Sequence, residues 1–200
     1  MKFLNIVIIF IILCGSFSYA EENNLQPKLP YYNLGACPFE CCVYGLWTSR
    51  ENVIAYKNKE DKSKIAFTIQ KGEQVTALEG FVVSYKAGIT KVIKPIQMGY
   101  LYEGQDREVK LNLKPGDIIY TLHYLGEGFD LFWYKGKLYS DQIHSDKPDP
   151  VPSPSYLLLQ TISVPVTDWW VKIKNSKGQI GWIINPPYFD GSDACSWKLT

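Results

Sequence analysis

Apolar and polar residues alternate along much of this chain, most clearly from Trp170 to Ile184. Val171 and Ile173 alternate with Lys172 and Lys174, the period of a strand with one buried face. Asn175-Ser176-Lys177-Gly178 is a turn that closes on glycine. A second strand, Gln179 to Ile184, carries Trp182. The pattern predicts a hairpin with an apolar face, a polar face and two aromatic anchors, Trp170 and Trp182. From Trp47 onward short strand-like runs recur between glycine turns: Val53 to Tyr56, Lys64 to Thr68, Gln74 to Leu78, Gly80 to Tyr85, Lys91 to Ile96, Ile118 to Tyr124 and Leu131 to Tyr134. They are rich in Val, Ile, Tyr, Phe and Thr, which pack well on a pleated surface. No window holds apolar residues at helical spacing for more than a turn or two. An all-β barrel or sandwich is therefore expected.

Two segments echo each other. Ile69 to Leu78 and Leu113 to Leu122 both run from an apolar residue through a Lys/Gly turn with an acidic residue into an alternating strand. A second hairpin, Leu131 to Tyr139 around Gly136, loosely echoes the one from Trp170 to Trp182. The chain thus reads as two opening halves followed by two closing halves. Ser145 to Pro154 holds Pro148, Pro150, Pro152 and Pro154 among Ser, Asp and Lys, the composition of a stiff surface linker.

The run from Trp170 through Gly178-Gln179-Ile180-Gly181-Trp182 resembles the closing hairpin of bacterial SH3-like domains. Val53 to Tyr56, through Lys71-Gly72-Glu73-Gln74-Val75, is similar to their opening strands and turn, and Lys110 to Tyr139 carries a weaker likeness. The resemblance implies SH3-like small barrels within residues 47–200, with main halves at about 47–108 and 165–190, a second lobe at 109–144 and a linker at 145–155. The two halves stand far apart in sequence, so the lobes follow one another or one is nested in the other. The resemblance also implies a binding role, commonly toward cell-wall peptides or extended protein segments, on an aromatic groove.

Residues 1–20 read as a leader and not as part of the fold. Lys2 gives a positive start, Phe3 to Cys14 is almost wholly apolar, and Ser18-Tyr19-Ala20 fits the small-x-small cleavage rule. The apolar run falls short of the ~20 residues of a membrane span. A secretory signal cleaved near Ala20 is expected, with acylation of Cys14 as its rival, and the mature chain has no expected transmembrane segment. Export puts Cys37, Cys41, Cys42 and Cys195 in an oxidising compartment. A bond between the adjacent Cys41 and Cys42 would strain the short backbone between them. Two pairings remain, each joining Cys37 to one member of the doublet and Cys195 to the other. Both tie the tail to an extended lead-in at 21–46.

Without Lys2 the chain balances 20 basic against 20 acidic residues. No face rich in Lys and Arg is visible, so nucleic acid is not an expected partner. The most charged run, Lys57 to Lys64, mixes both signs and reads as a solvated loop.

Flat aromatic faces bury much area at low entropic cost and keep a polar rim, which suits peptide docking. The groove candidates are Trp47, Tyr56, Trp133, Tyr134, Trp169, Trp170 and Trp182, although a small barrel also uses such rings to fill its core. Trp169 and Trp170 are adjacent, so strand alternation sends them to opposite faces, and one must lie off the main core. Asp193-Ala194-Cys195-Ser196 is superficially similar to the nucleophile motif of cell-wall cysteine peptidases. Too few residues follow Cys195 for the helix that would activate such a thiol. Cys37, Cys41 and Cys42 with His123 or His144 have near-ligand spacing for zinc, but oxidation to disulfides is the stronger expectation. No Gly-x-Ser-x-Gly elbow and no phosphate-binding glycine loop occurs. The sequence therefore points to a secreted or periplasmic, non-enzymatic binding module without metal or cofactor. Its expected partner is cell-wall peptide, peptidoglycan or another envelope protein. A cell-wall hydrolase and a structural or inhibitory partner are the rivals.

Overall fold

The computed structural model describes residues 25–101, 107–143, 158–187 and 189–195. The expected leader with Cys14, His144 and the linker at 145–155 lie outside the described residues. Within them the chain is all-β. Its strands are β1 (Tyr31–Leu34), β2 (Gly45–Ser49), β3 (Val53–Asn58), β4 (Asp61–Ile69), β5 (Gln74–Lys86), β6 (Gly88–Val92), β7 (Ile96–Leu101), β8 (Arg107–Leu113), β9 (Ile118–Gly126), β10 (Phe129–Tyr134), β11 (Lys137–Asp141), β12 (Leu159–Ser163), β13 (Val166–Asn175), β14 (Ile180–Ile184) and β15 (Phe189–Asp190).

These strands form two curled, half-barrel sheets. One has the order β15-β2-β5-β13-β14-β3-β4, with β1 also paired to β5, and the other β12-β6-β9-β10-β11-β7-β8. The chain leaves the first sheet at Lys86 and re-enters it at Val166, so the second sheet is inserted between two neighbouring strands of the first. Residues 88–101, which the sequence groups with the opening half, belong to the second sheet.

The two sheets share one topology. Numbered one to six along the chain, the strands of the first unit (β2, β3, β4, β5, β13, β14) lie across their sheet as first, fourth, fifth, sixth, second and third, and β6 to β11 lie across theirs in the same order. The sequence echo lies at equivalent turns of the two units. Gln70 N–H donates to Glu73 Oε2 at 3.0 Å, and Lys114 N–H donates to Asp117 Oδ2 at 2.8 Å. Gly72 and Gly116, both at positive φ, donate their N–H groups to Ser49 O of β2 and Val92 O of β6. In each copy an acidic side chain closes the turn while glycine supplies the left-handed backbone. The same turn is tied to the first strand of its own unit.

Strand β5 is the spine of the first sheet. It pairs with β1 and β2 along one edge and with β13 along the other. The sequence separates Gln74–Leu78 from Gly80–Tyr85, yet one strand runs through both. A Cβ at Gly80 would lie 2.5 Å from the Tyr44 hydroxyl and 2.8 Å from Trp170 O, so the missing side chain makes room for close neighbours. Lys91 to Ile96, in contrast, is split. β6 ends at Val92 and β7 starts at Ile96, and Pro95 between them has no N–H to donate. The charged run Lys57 to Lys64 is an ordered hairpin end between β3 and β4, not a loop. Its Glu60 accepts a hydrogen bond from Tyr32 OH at 2.9 Å, and Lys59 Nζ stands 5.2 Å from the Phe81 ring centre.

Alternation places the cores. Val171 and Ile173 of β13 face a cluster with Trp47, Ala55, Ile69, Val75, Ile183 and Phe189, while Lys174 is exposed on the other side. The second sheet buries Val92, Leu113, Ile119 and Phe132 on one face and Leu122, Leu131 and Leu138 on the other. Fully burying one such side chain contributes about 1.5–3 kcal/mol.

Two disulfides form, Cys37–Cys42 within the lead-in and Cys41–Cys195 between the lead-in and the tail, one of the two pairings that the sequence leaves open. The tail is also hydrogen-bonded to the lead-in. Ala194 N–H donates to Cys41 O, Val43 N–H donates to Ser192 O, and β15 pairs with β2. The Cys41–Cys195 bond spans 154 positions. Closing so long a loop restricts the unfolded chain, so Cys41→Ser with Cys195→Ser should cost about 2–5 kcal/mol of unfolding free energy in urea titrations. A loss no larger than that of a surface substitution would contradict this role.

Candidate functional site

The aromatic residues singled out from sequence occupy three places. Trp170 lies off the main core but is only 1% exposed, packed with Phe81 and Val83. Tyr56 meets it edge-on at 6.4 Å, and Trp182 meets Phe81 edge-on at 5.8 Å. Lys172 Nζ stands 5.8 Å from the Trp182 ring centre and 3.1 Å from Glu79 Oε1. Tyr56, Trp170 and Trp182 thus come together as a packed layer rather than an open groove. Trp133 and Tyr134 sit on opposite faces of β10 in the second sheet. Tyr134 is buried and donates to Asp117 Oδ2 at 2.9 Å, and burial above all holds its phenol pKa above the usual value. Trp47 is fully buried.

Trp169 has a different setting. It stands on the main-core side of β13, 6.1 Å from the Trp47 ring, and faces the seam between the two sheets. Its backbone is pinned at both ends. Asn185, at a left-handed φ of 42°, donates its N–H to Trp169 O at 2.7 Å and accepts from Trp169 N–H on its side-chain oxygen at 2.7 Å. Asn185 Nδ2 donates to Asp168 Oδ1, so the side chain is held as well.

The loop closed by Cys37–Cys42 fills the middle of the seam. Phe39 N–H donates to Cys37 O and Cys42 N–H to Phe39 O, which folds the loop tightly and leaves the Phe39 ring projecting. That ring meets Trp169 edge-on at 5.8 Å. On the other side the loop backbone presses on the second sheet at Gly126, where a Cβ would lie 3.2 Å from the Phe39 carbonyl. Gly126 also needs its φ of 112°, so a side chain there would be excluded twice.

A cleft flanks the loop on each side. The first, of about 450 Å³, is walled by Trp169, Phe39, Trp47, Pro38, Pro186 and Pro187, with Thr167, Asn185 and Tyr124 among its polar groups and no charged side chain in its lining. The second, of about 520 Å³, lies between the Cys37–Cys42 bridge and the second sheet, where Tyr100 and Phe129 meet edge-on at 6.1 Å. Glu40 and Glu127 line it.

His123 forms part of the seam. It is 2% exposed, its Nε2 lies 2.9 Å from Asn33 Nδ2 of β1, and its Nδ1 lies 2.7 Å from Tyr124 O. The neutral ring with its proton on Nδ1 satisfies both contacts: Nδ1–H donates to the carbonyl and Nε2 accepts from the amide. Nearby, Ser84 Oγ donates to Leu122 O across the sheets. With both nitrogens engaged, His123 has no lone pair left for a metal or a nucleophile. Ser192 in the same cleft donates its hydroxyl to Phe189 O. Cys195 is bonded to Cys41, and Cys37 to Cys42, so these sulfurs are neither free nucleophiles nor thiolate ligands. The cluster of Cys41, Asp193 and Cys195 is accounted for by the disulfide, with Asp193 Oδ1 accepting from Cys195 N–H at 2.7 Å.

Comparison with family models, with curated proteins and with solved structures gives no match for this chain. Among the described residues no helix is long and apolar enough to cross a membrane.

Burial holds the His123 pKa below its ordinary 6.5. The unfolded chain therefore takes up a proton near pH 6.5 that the folded chain refuses, and stability falls as pH drops through and below that value. Unfolding free energy should decline between pH 7.5 and 5.5 by up to about 1.4 kcal/mol per unit. His123→Gln should flatten that slope, and an equal slope in the variant would show that His123 is not its source.

Proposed function

We propose that this protein is an exported, non-enzymatic binding module that docks an extended peptide segment in the cleft beside Trp169. The observation that carries this reading is the cleft itself, an uncharged trough of aromatic and proline faces rimmed by amide and hydroxyl groups. Such walls suit an extended chain, because ring and proline faces cover apolar side chains while rim groups meet the ligand backbone. Rigidity supports it further: Trp169 is fixed by Asn185, Trp47 and Phe39, so little ordering entropy is lost on binding. The likeness of the Trp170–Trp182 hairpin to SH3-like domains favours the same role, with cell-wall peptide or an extended segment of another envelope protein as ligand. The cleaved leader and an oxidising compartment are part of this proposal, and two disulfides are consistent with it.

The test is sedimentation of the mature protein with purified sacculi. Trp169→Ala should reduce the bound fraction roughly tenfold, the effect of losing about 1.4 kcal/mol at one anchor. Trp133→Ala, outside the cleft, should retain binding. Equal retention of the wild type and the Trp169 variant would remove the cleft from the account.

A further inference from the structure

The second cleft has no role in the reading above, yet it abuts the first across Phe39, which lines both. Its chemistry differs. Two side chains in its lining are carboxylates, Glu40 and Glu127, and no Lys or Arg lines it. Both carboxylates are exposed, and neither is in an ion pair among the described residues. They share this lining with the ring pair Tyr100–Phe129, of which Tyr100 is 38% exposed.

Glu127 is placed there by backbone geometry. Glu127 and Gly128 are the two residues between β9 and β10, at φ of 52° and 80°, the signs of a type I′ hairpin turn. Gly128 N–H donates to Tyr124 OH at 2.8 Å, which braces the turn. Glu40 is placed by the disulfide loop, one residue from Cys41. The two acids thus come from opposite walls, one from each sheet's side of the seam. Aromatic faces beside unpaired carboxylates attract a cation, through the negative ring face and through direct charge.

We infer that the two clefts act as neighbouring subsites for one extended peptide, and that the second takes a cationic side chain, a lysine ammonium or an arginine guanidinium. The inference rests on the peptide-docking reading and adds a charge requirement to it. The neutral cleft takes the apolar part of the segment beside Trp169. The acidic cleft takes the basic residue on the far side of Phe39.

The test uses the full mature chain, labelled with nitrogen-15, and three synthetic peptides: acetyl-Ala-Pro-Leu-Ala-Lys-Ala-amide and its counterparts with Gln or Glu in place of Lys. The Lys peptide should shift the Trp169 indole resonance and the amides of Glu127 and Gly128. The Gln peptide should bind roughly threefold to fivefold more weakly and the Glu peptide more weakly still, in keeping with partly exposed ion pairs. The double variant Glu40→Gln, Glu127→Gln should bind the three alike, and added salt should narrow their differences in the wild type. Both substituted residues are exposed, and an unchanged circular dichroism spectrum would show that the variant is folded. If all three peptides shift Trp169 equally, the cationic subsite is wrong while the peptide cleft stands. If none shifts Trp169, both readings fall. If the Lys preference survives in the double variant, the carboxylates are not its source and the inference is overturned.

Discussion

The bond between Cys37 and Cys42 holds Phe39 in the seam between two β sheets, and the surface around it depends on that position. Neither sheet supplies a cleft on its own. Trp169 belongs to one sheet, Gly126, Tyr100 and Phe129 belong to the other, and the disulfide loop stands between them as a shared wall. The second disulfide, Cys41–Cys195, anchors the same loop from behind by binding the tail to it. Beneath the loop the sheets are joined by neutral polar contacts, Asn33 with His123 and Ser84 with the Leu122 carbonyl, which are directional and fix the register of one sheet against the other. The clefts are thus consequences of how the two sheets are joined.

The duplicated topology explains why such a junction exists. Two six-stranded units of the same strand order are nested, so the chain crosses between them twice, at Lys86–Gly88 and at Ser163–Val166. Two crossings constrain the relative position of the units more than one linker would. Gly88 permits the crossings to lie close together, since a Cβ there would meet Ser163 O at 2.8 Å and the Pro165 ring at 2.9 Å. Nesting also leaves each unit a closing hairpin of its own, β10–β11 in one and β13–β14 in the other.

Much of the scaffold was legible in the sequence because it depends on local patterns. The alternation of Val171 and Ile173 with Lys172 and Lys174, the Asn175–Gly178 turn and the echo between Ile69–Leu78 and Leu113–Leu122 all correspond to strands and turns in the structure. Restricting the disulfides to two pairings needed only the strain of joining adjacent cysteines. Gln74–Leu78 and Gly80–Tyr85 read as two strands because a glycine required for packing against Tyr44 and Trp169 looks, in sequence, like one that follows a turn. The site was legible only in part. Alternation separates Trp169 from Trp170, but no local rule says that the former meets Phe39 from a distant segment or shares a cleft with Pro186 and Pro187. Trp182 and Tyr56 carried the same compositional signal as Trp169 and are packed beneath Lys172 and against Trp170 instead. Glu127 is legible only as the middle of a Gly126–Gly128 turn, and that this turn borders a cleft depends on the disulfide loop from a distant segment.

The central claim is that the Cys37–Cys42 bond fixes Phe39 between the sheets. It is tested most directly by nuclear Overhauser contacts from the Phe39 ring to the Trp169 indole, and from the Phe39–Glu40 backbone to the Gly126 α protons. In the oxidised protein both sets should be present. In Cys37→Ala with Cys42→Ala both should fade, while contacts between β5 and β13 persist. Their absence from the oxidised protein, or their persistence at full strength without the disulfide, would contradict the account.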